Sequence, residues 1–122
     1  MDRLIAFVAT AKPQESKAFY RDALGLRFVE ETPFSMVFLS GETMIRIQKM
    51  AEIVLAPDTA MGWEVDALDV RVAELSGKGV VFELFDGFEQ DSACVWAAPD
   101  GTRVAWFRDP DGNLLSLTQF AA

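Results

Sequence analysis

A strand, a helix and three strands, written twice, is the pattern that most narrows what these 122 residues can fold into. Leu4–Thr10 is a short apolar run. Pro13 suits the first turn of a helix, and Phe19, Tyr20, Ala23 and Leu24 stripe that helix at i, i+4 spacing up to Gly25, which ends it. Arg27–Glu31, Phe34–Leu39 and Met44–Lys49 read as strands, parted by turn signals at Thr32-Pro33 and Ser40-Gly41. The second copy begins near Ala60. Met61–Asp66 is its strand, and Leu68, Val72 and Leu75 stripe a helix with Asp69 as the expected cap. Gly77 and Gly79 stop it, and Gly79-Val80-Val81-Phe82 echoes Gly25-Leu26-Arg27-Phe28 as helix end passing into strand. Ser92–Ala97 and Thr102–Phe107 flank the turn Pro99-Asp100-Gly101-Thr102, and Leu114–Phe120 is the last strand. The expectation is an α+β chain of one domain made of two βαβββ modules, about residues 2–50 and 60–120, with 51–59 as linker.

Strand parity divides each sheet into faces, because successive side chains alternate. Ile45 and Ile47 lie opposite Met44, Arg46 and Gln48; Leu115 and Leu117 lie opposite Ser116 and Thr118. Met61, Trp63 and Val65 lie opposite Gly62 and Glu64. The oily faces should meet the helices, which places Trp63 in the core. The polar faces are free for water or for a ligand.

Composition narrows the function. A net charge of −8 gives no basic face for nucleic acid. No apolar run has the length of a membrane span, so no membrane partner is expected. Leu4–Ala11 ends in Ala-Thr-Ala, like a secretory cleavage site, but Asp2 and Arg3 before it are of mixed charge and the run doubles as the first strand of the repeat. Cys94 is the one cysteine, which suits the reducing cytoplasm. No histidine is present, and with it go the commonest general base and the imidazole ligand of most transition-metal sites.

Three motifs stand in order on the repeat: Phe19-Tyr20-Arg21-Asp22-Ala23-Leu24-Gly25-Leu26, then Glu64-Val65-Asp66-Ala67-Leu68-Asp69, then the turn Asp109-Pro110-Asp111-Gly112-Asn113 between two apolar runs. Together they resemble the vicinal oxygen chelate superfamily of glyoxalase I, bleomycin-resistance proteins and extradiol dioxygenases, over nearly the whole chain. The resemblance implies two modules forming one curved mixed sheet, with helices on its outer face and a ligand on its concave face. It also implies metal ligands at four positions. Those positions hold Ile5, Arg46, a residue near Ala60, and Ser116, none of which is a ligand. No metal and no cofactor is therefore expected.

What the resemblance and the parity map leave is a small-molecule site. Phe7, Met44, Arg46 and Gln48 are its candidates in the first module; Glu64, Ser116 and Thr118 in the second. Trp96 and Trp106 either wall the site or fill the core. The first reading is a binding protein that sequesters a drug or metabolite. The alternative is a metal-free lyase or isomerase, with Glu64 as base and Arg46 as anion clamp. A metal-dependent lyase or dioxygenase comes last. The resemblance and the open sheet edges imply a homodimer.

Overall fold

The computed structural model describes residues 1–122. They form two compact units, one of Met1–Leu55 with Asp109–Asn113, the other of Ala56–Arg108 with Leu114–Ala122. Each carries a four-stranded mixed sheet, hydrogen-bonded within itself. The α+β class expected from the sequence is that of the chain, but the one curved sheet expected is two four-stranded sheets, each hydrogen-bonded only within its own unit.

In the first unit, β1 (Ile5–Thr10) leads to α1 (Pro13–Ala18), then to β2 (Arg27–Glu31), β3 (Ser35–Ser40) and β4 (Thr43–Lys49). The strand order is β1-β4-β3-β2, with β1 parallel to β4 and the other pairs antiparallel. A parallel pair cannot be closed by a tight turn. The helix and the β2–β3 hairpin supply the crossover. Ala6, Ile45, Phe38 and Phe28 stand in one row across the sheet, and Val8, Ile47 and Met36 in the next. Tyr20 packs over this face, with its ring centroid 6.0 Å from that of Phe38.

The helix differs from the straight 3.6-residue stripe expected. Phe19–Ala23 is a π-helical turn, closed by the Leu24 N–H donating to the Phe19 carbonyl at 3.0 Å. A π turn takes about one residue more than an α turn, and a stripe of two i, i+4 pairs is too short to tell the two apart.

In the second unit, β5 (Met61–Glu64) leads to α2 (Leu68–Gly77), β6 (Trp96–Ala97), β7 (Arg103–Arg108) and β8 (Leu114–Gln119). The order is β5-β8-β7-β6, with β5 parallel to β8. Leu68, Val72 and Leu75 are buried as the stripe requires, and α2 lies against β7 and β8. Asp69 does not cap the helix. The Leu68 N–H donates instead to Gln119 Oε1 at 2.8 Å, and Asp69 pairs with Arg103 at 2.7 Å. That guanidinium holds the Asp69 carboxyl below its usual range. The strand expected at Gly79–Phe82 shrinks to a single bridge, Phe82 to Phe107, and Ser92–Ala97 shrinks to β6. Between them the backbone turns at Gly87 (φ 88°) and Cys94 (φ 67°), conformations no ladder accepts.

The turn Asp109–Asn113 is the polar centre of the first unit. The buried Asp109 carboxylate accepts the Tyr20 hydroxyl at 2.7 Å, the Asn113 side-chain amide at 2.9 Å, and the N–H groups of Asp111 (3.0 Å) and Asn113 (2.9 Å). Asn113 also donates to the Ala9 carbonyl at 3.0 Å. Asp111 accepts the Thr10 hydroxyl and, at 2.8 Å, the Ala11 N–H. Gly112 at φ 95° closes the turn, a value a β-carbon would strain.

Burial first, and the Asp109 carboxylate second, push the Tyr20 phenol far above its ordinary value. The folded chain therefore holds this proton more tightly than the unfolded chain. The stabilisation is complete below the unfolded phenol pKa of about 10 and is lost as pH rises beyond it, by up to about 1.4 kcal/mol per pH unit. Tyr20 is the sole tyrosine, so tyrosinate absorbance reports it alone. Ionisation should coincide with unfolding. Tyr20→Phe should cost about 1.5–3 kcal/mol at neutral pH and remove its share of the alkaline slope. A tyrosinate band from folded protein at the ordinary phenol pKa would contradict this.

Candidate functional site

Sheet register fixes which candidate side chains share a surface. In the first unit, Phe7 stands beside Arg46, and Arg46 beside Val37. Met44 lies in the row of Ile5 and Leu39, and Gln48 in the row of Ala9 and Ser35. Phe7, Met44, Arg46 and Gln48 thus occupy one face, opposite the Tyr20 core. Phe7 is exposed, unusual for an aromatic ring in mid-strand. Arg46 is half-buried and donates one hydrogen bond, to Ser35 Oγ at 3.1 Å. No carboxylate of its own unit lies within ion-pair distance. A guanidinium has five N–H donors, so most of its capacity is left over.

In the second unit, Gly62, Ser116 and Trp106 form one row, and Glu64, Thr118, Val104 and Trp96 the next. These side chains share a face opposite Trp63, which stands beside Leu117 and Ala105 on the expected face but is only half-buried, not in the core. Trp96 and Trp106, left between wall and core by the sequence, thus fall on the face of Ser116 and Thr118. Their ring centroids are 6.2 Å apart at 35°.

Two further rings join them that sequence reasoning missed. Phe85 meets Trp106 edge-on at 5.4 Å, and Phe88 meets Trp96 edge-on at 5.1 Å. Phe88 also lies 5.6 Å from Trp106. The four rings make one aromatic wall, two of its contacts edge-on, a geometry aromatic quadrupoles favour, and two tilted. The available signal was Phe82, Phe85 and Phe88 crowded into a stretch without strand or helix period. A separate groove of about 450 Å³ lies between α2 and the Ser92–Cys94 turn, lined by Val72, Val80 and Phe82 among others, on the helix side of the sheet.

Glu64 is exposed and takes part in no ion pair of its unit. Ser116 is buried, pressed against the glycine of the neighbouring strand. A β-carbon on Gly62 would meet Ser116 Oγ well inside contact distance and the Ser116 carbonyl oxygen at 3.0 Å.

The family model of the glyoxalase/bleomycin resistance protein/dioxygenase superfamily matches residues 3–117. The chain belongs to this superfamily. It is 32% identical over 119 residues to the uncharacterised protein YraH of Bacillus subtilis, covering 85% of this chain and 87% of that protein. Among solved structures it is similar to lactoylglutathione lyase from Agrobacterium tumefaciens (TM-score 0.75, 17% identity, 97% of this chain and 92% of the other). It is also similar to TnmS3, an antibiotic binding protein from Streptomyces (TM-score 0.68, 19% identity, 99% of this chain and 97% of the other). One fold thus carries a lyase and a binding protein, and the side chains must decide between them.

The side chains of this superfamily member do not fit the metal that the family resemblance implies. The four positions at which that resemblance implies ligands hold Ile5, Arg46, a residue near Ala60, and Ser116. Nowhere do three cysteine, aspartate or glutamate side chains converge in a way that could hold an ion.

The close approach at Gly62 gives a direct test of how the face is built. Gly62→Ala should turn the Ser116 hydroxyl to another rotamer and lower stability by about 1–2 kcal/mol. Adding Ser116→Ala should recover part of that loss in urea unfolding. Equal stability of Gly62→Ala and wild type would show that the two strands are not so tightly apposed.

Proposed function

We propose that this chain binds and sequesters a small planar aromatic molecule, without a metal and without turning it over. The aromatic wall of Phe85, Phe88, Trp96 and Trp106 carries this reading. Apolar surface with a few placed polar groups is what small-molecule sites offer, and Ser116 and Thr118 stand on the same face as the wall. On its own face the first unit offers a charge preference through Arg46. A half-buried guanidinium with donors to spare is best satisfied by an anionic oxygen. The antibiotic binding described for TnmS3 is consistent with a role of this kind.

The metal-free enzyme is supported less well. Its base would be Glu64, which lies exposed with no partner in its unit to orient it. A general base needs a fixed position within reach of the proton it takes.

A homodimer in the cytoplasm belongs to the same proposal. Ile5, Phe7, Val29 and Phe88 are exposed apolar side chains that a second copy of the chain would cover. Sedimentation velocity at micromolar concentration should give a dimer; a monomer throughout that range would remove this part of the reading.

Binding is tested with naphthoate and its neutral analogue naphthamide, followed by thermal shift and titration, with and without a chelator. Naphthoate should bind equally well in both conditions. Arg46→Met should weaken naphthoate by about 1.5–3 kcal/mol and naphthamide much less. Trp106→Leu should weaken both alike, by about 1 kcal/mol. Chelator-sensitive binding, or equal losses for the two compounds in Arg46→Met, would count against the proposal.

A further inference from the structure

The stretch Glu83–Val95 brings Phe85 and Phe88 to the wall with no regular structure of its own beyond a single bridge from Gln90 to Trp96. One side chain ties it together. Gln90 Oε1 accepts the Phe85 N–H at 2.8 Å. Gln90 Nε2 donates to the Glu83 carbonyl at 2.8 Å and to the Cys94 carbonyl at 2.8 Å. One half-buried amide thus fastens both ends of the loop and the backbone of Phe85. The Asp91 carboxylate adds a local brace, accepting the N–H groups of Ala93 at 2.9 Å and Val95 at 3.0 Å.

We infer that Gln90 is the positioning residue of the aromatic wall: its amide holds Phe85 and Phe88 against Trp96 and Trp106, and so sets affinity for planar ligands. The role rests on the binding proposal, but the state of the wall can be read without any ligand. The chemistry required is narrow. The site needs one acceptor and two donors at the end of a glutamine-length stem. Glutamate has the same shape and offers only acceptors when ionised, so it would face the Glu83 and Cys94 carbonyls with a negative charge. A protonated glutamate regains one donor.

The readouts are acrylamide quenching of tryptophan emission, naphthoate affinity and melting temperature, each for wild type, Gln90→Glu and Gln90→Met. At neutral pH both variants should expose the tryptophans to quencher and bind naphthoate more weakly, by roughly threefold to tenfold. As pH falls through the carboxyl range, quenching should return toward the wild-type value in Gln90→Glu alone. The titratable neighbours Glu83 (ion-paired to Arg108 at 2.7 Å), Glu89, Asp91 and Cys94 are common to all three proteins, so wild type and Gln90→Met report their effect. Gln90→Met keeps the test in hand if the glutamate variant does not fold. Unchanged quenching and affinity in a folded variant whose melting temperature has dropped would reduce Gln90 to a stabilising residue and overturn the inference. Should naphthoate fail to bind wild type, the binding proposal fails, while quenching and its pH recovery still decide whether Gln90 sets the wall.

Discussion

The first unit depends on one buried carboxylate. Asp109 accepts from a phenol, an amide and two backbone N–H groups, and the buried Tyr20 hydroxyl has no other partner. A charge in that setting is tolerated only when its oxygens are fully bonded, and removing one donor leaves the others strained around it. The carboxylate is therefore a geometric device more than a source of net stability. It fixes the turn Asp109–Asn113 and the π-helical turn bearing Tyr20 in one arrangement. Asn113 and Asp111 then extend the hold to the end of β1, through Ala9, Thr10 and Ala11.

That network explains why two motifs far apart in the chain accompany one another. From the sequence alone, Tyr20 is a member of an apolar stripe and Asp109-Pro110-Asp111-Gly112-Asn113 is a hairpin turn. Both readings hold locally, and neither hints that the hydroxyl of one closes on the carboxylate of the other. The faces of the sheets were legible because alternation is a strict period. Alternation alone groups Arg46 with Met44 and Gln48, and Ser116 with Thr118. Contacts between a side chain and a distant backbone group have no period. The Gln119 cap on Leu68, the Gln90 clamp and the place of Phe85 and Phe88 were hidden for that reason. Asp69 shows the matching error. Its chemistry and position suit a cap, but Arg103 on β7 holds its carboxylate instead.

The second module departs from the first where the function is proposed to lie. In the first unit β2 and β3 form a full antiparallel pair, with one bulge between Phe28 and Glu30. In the second, the equivalent stretch keeps a bridge at Phe82 and a two-residue strand at Trp96, and the residues between are freed from the ladder. Breaking the repeat exposes backbone groups that need new partners. The Gln90 amide and the Asp91 carboxylate take several of them, and the freed segment delivers two more rings to the two tryptophans.

An aromatic wall assembled in this way bears on the choice between binding and catalysis. Ordering side chains at the moment of binding opposes association, and rings already packed against one another have lost part of that freedom beforehand. Such a surface accepts a flat molecule with little further cost, and holds its ground state as firmly as any later state. A catalyst needs the opposite, contacts that strengthen as the reaction proceeds. In this chain the groups suited to follow a reaction, Glu64 above all, are exposed, while the groups suited to grip a fixed shape are packed against each other. Packing of that kind is the physical ground on which the proposed binding role is preferred to turnover.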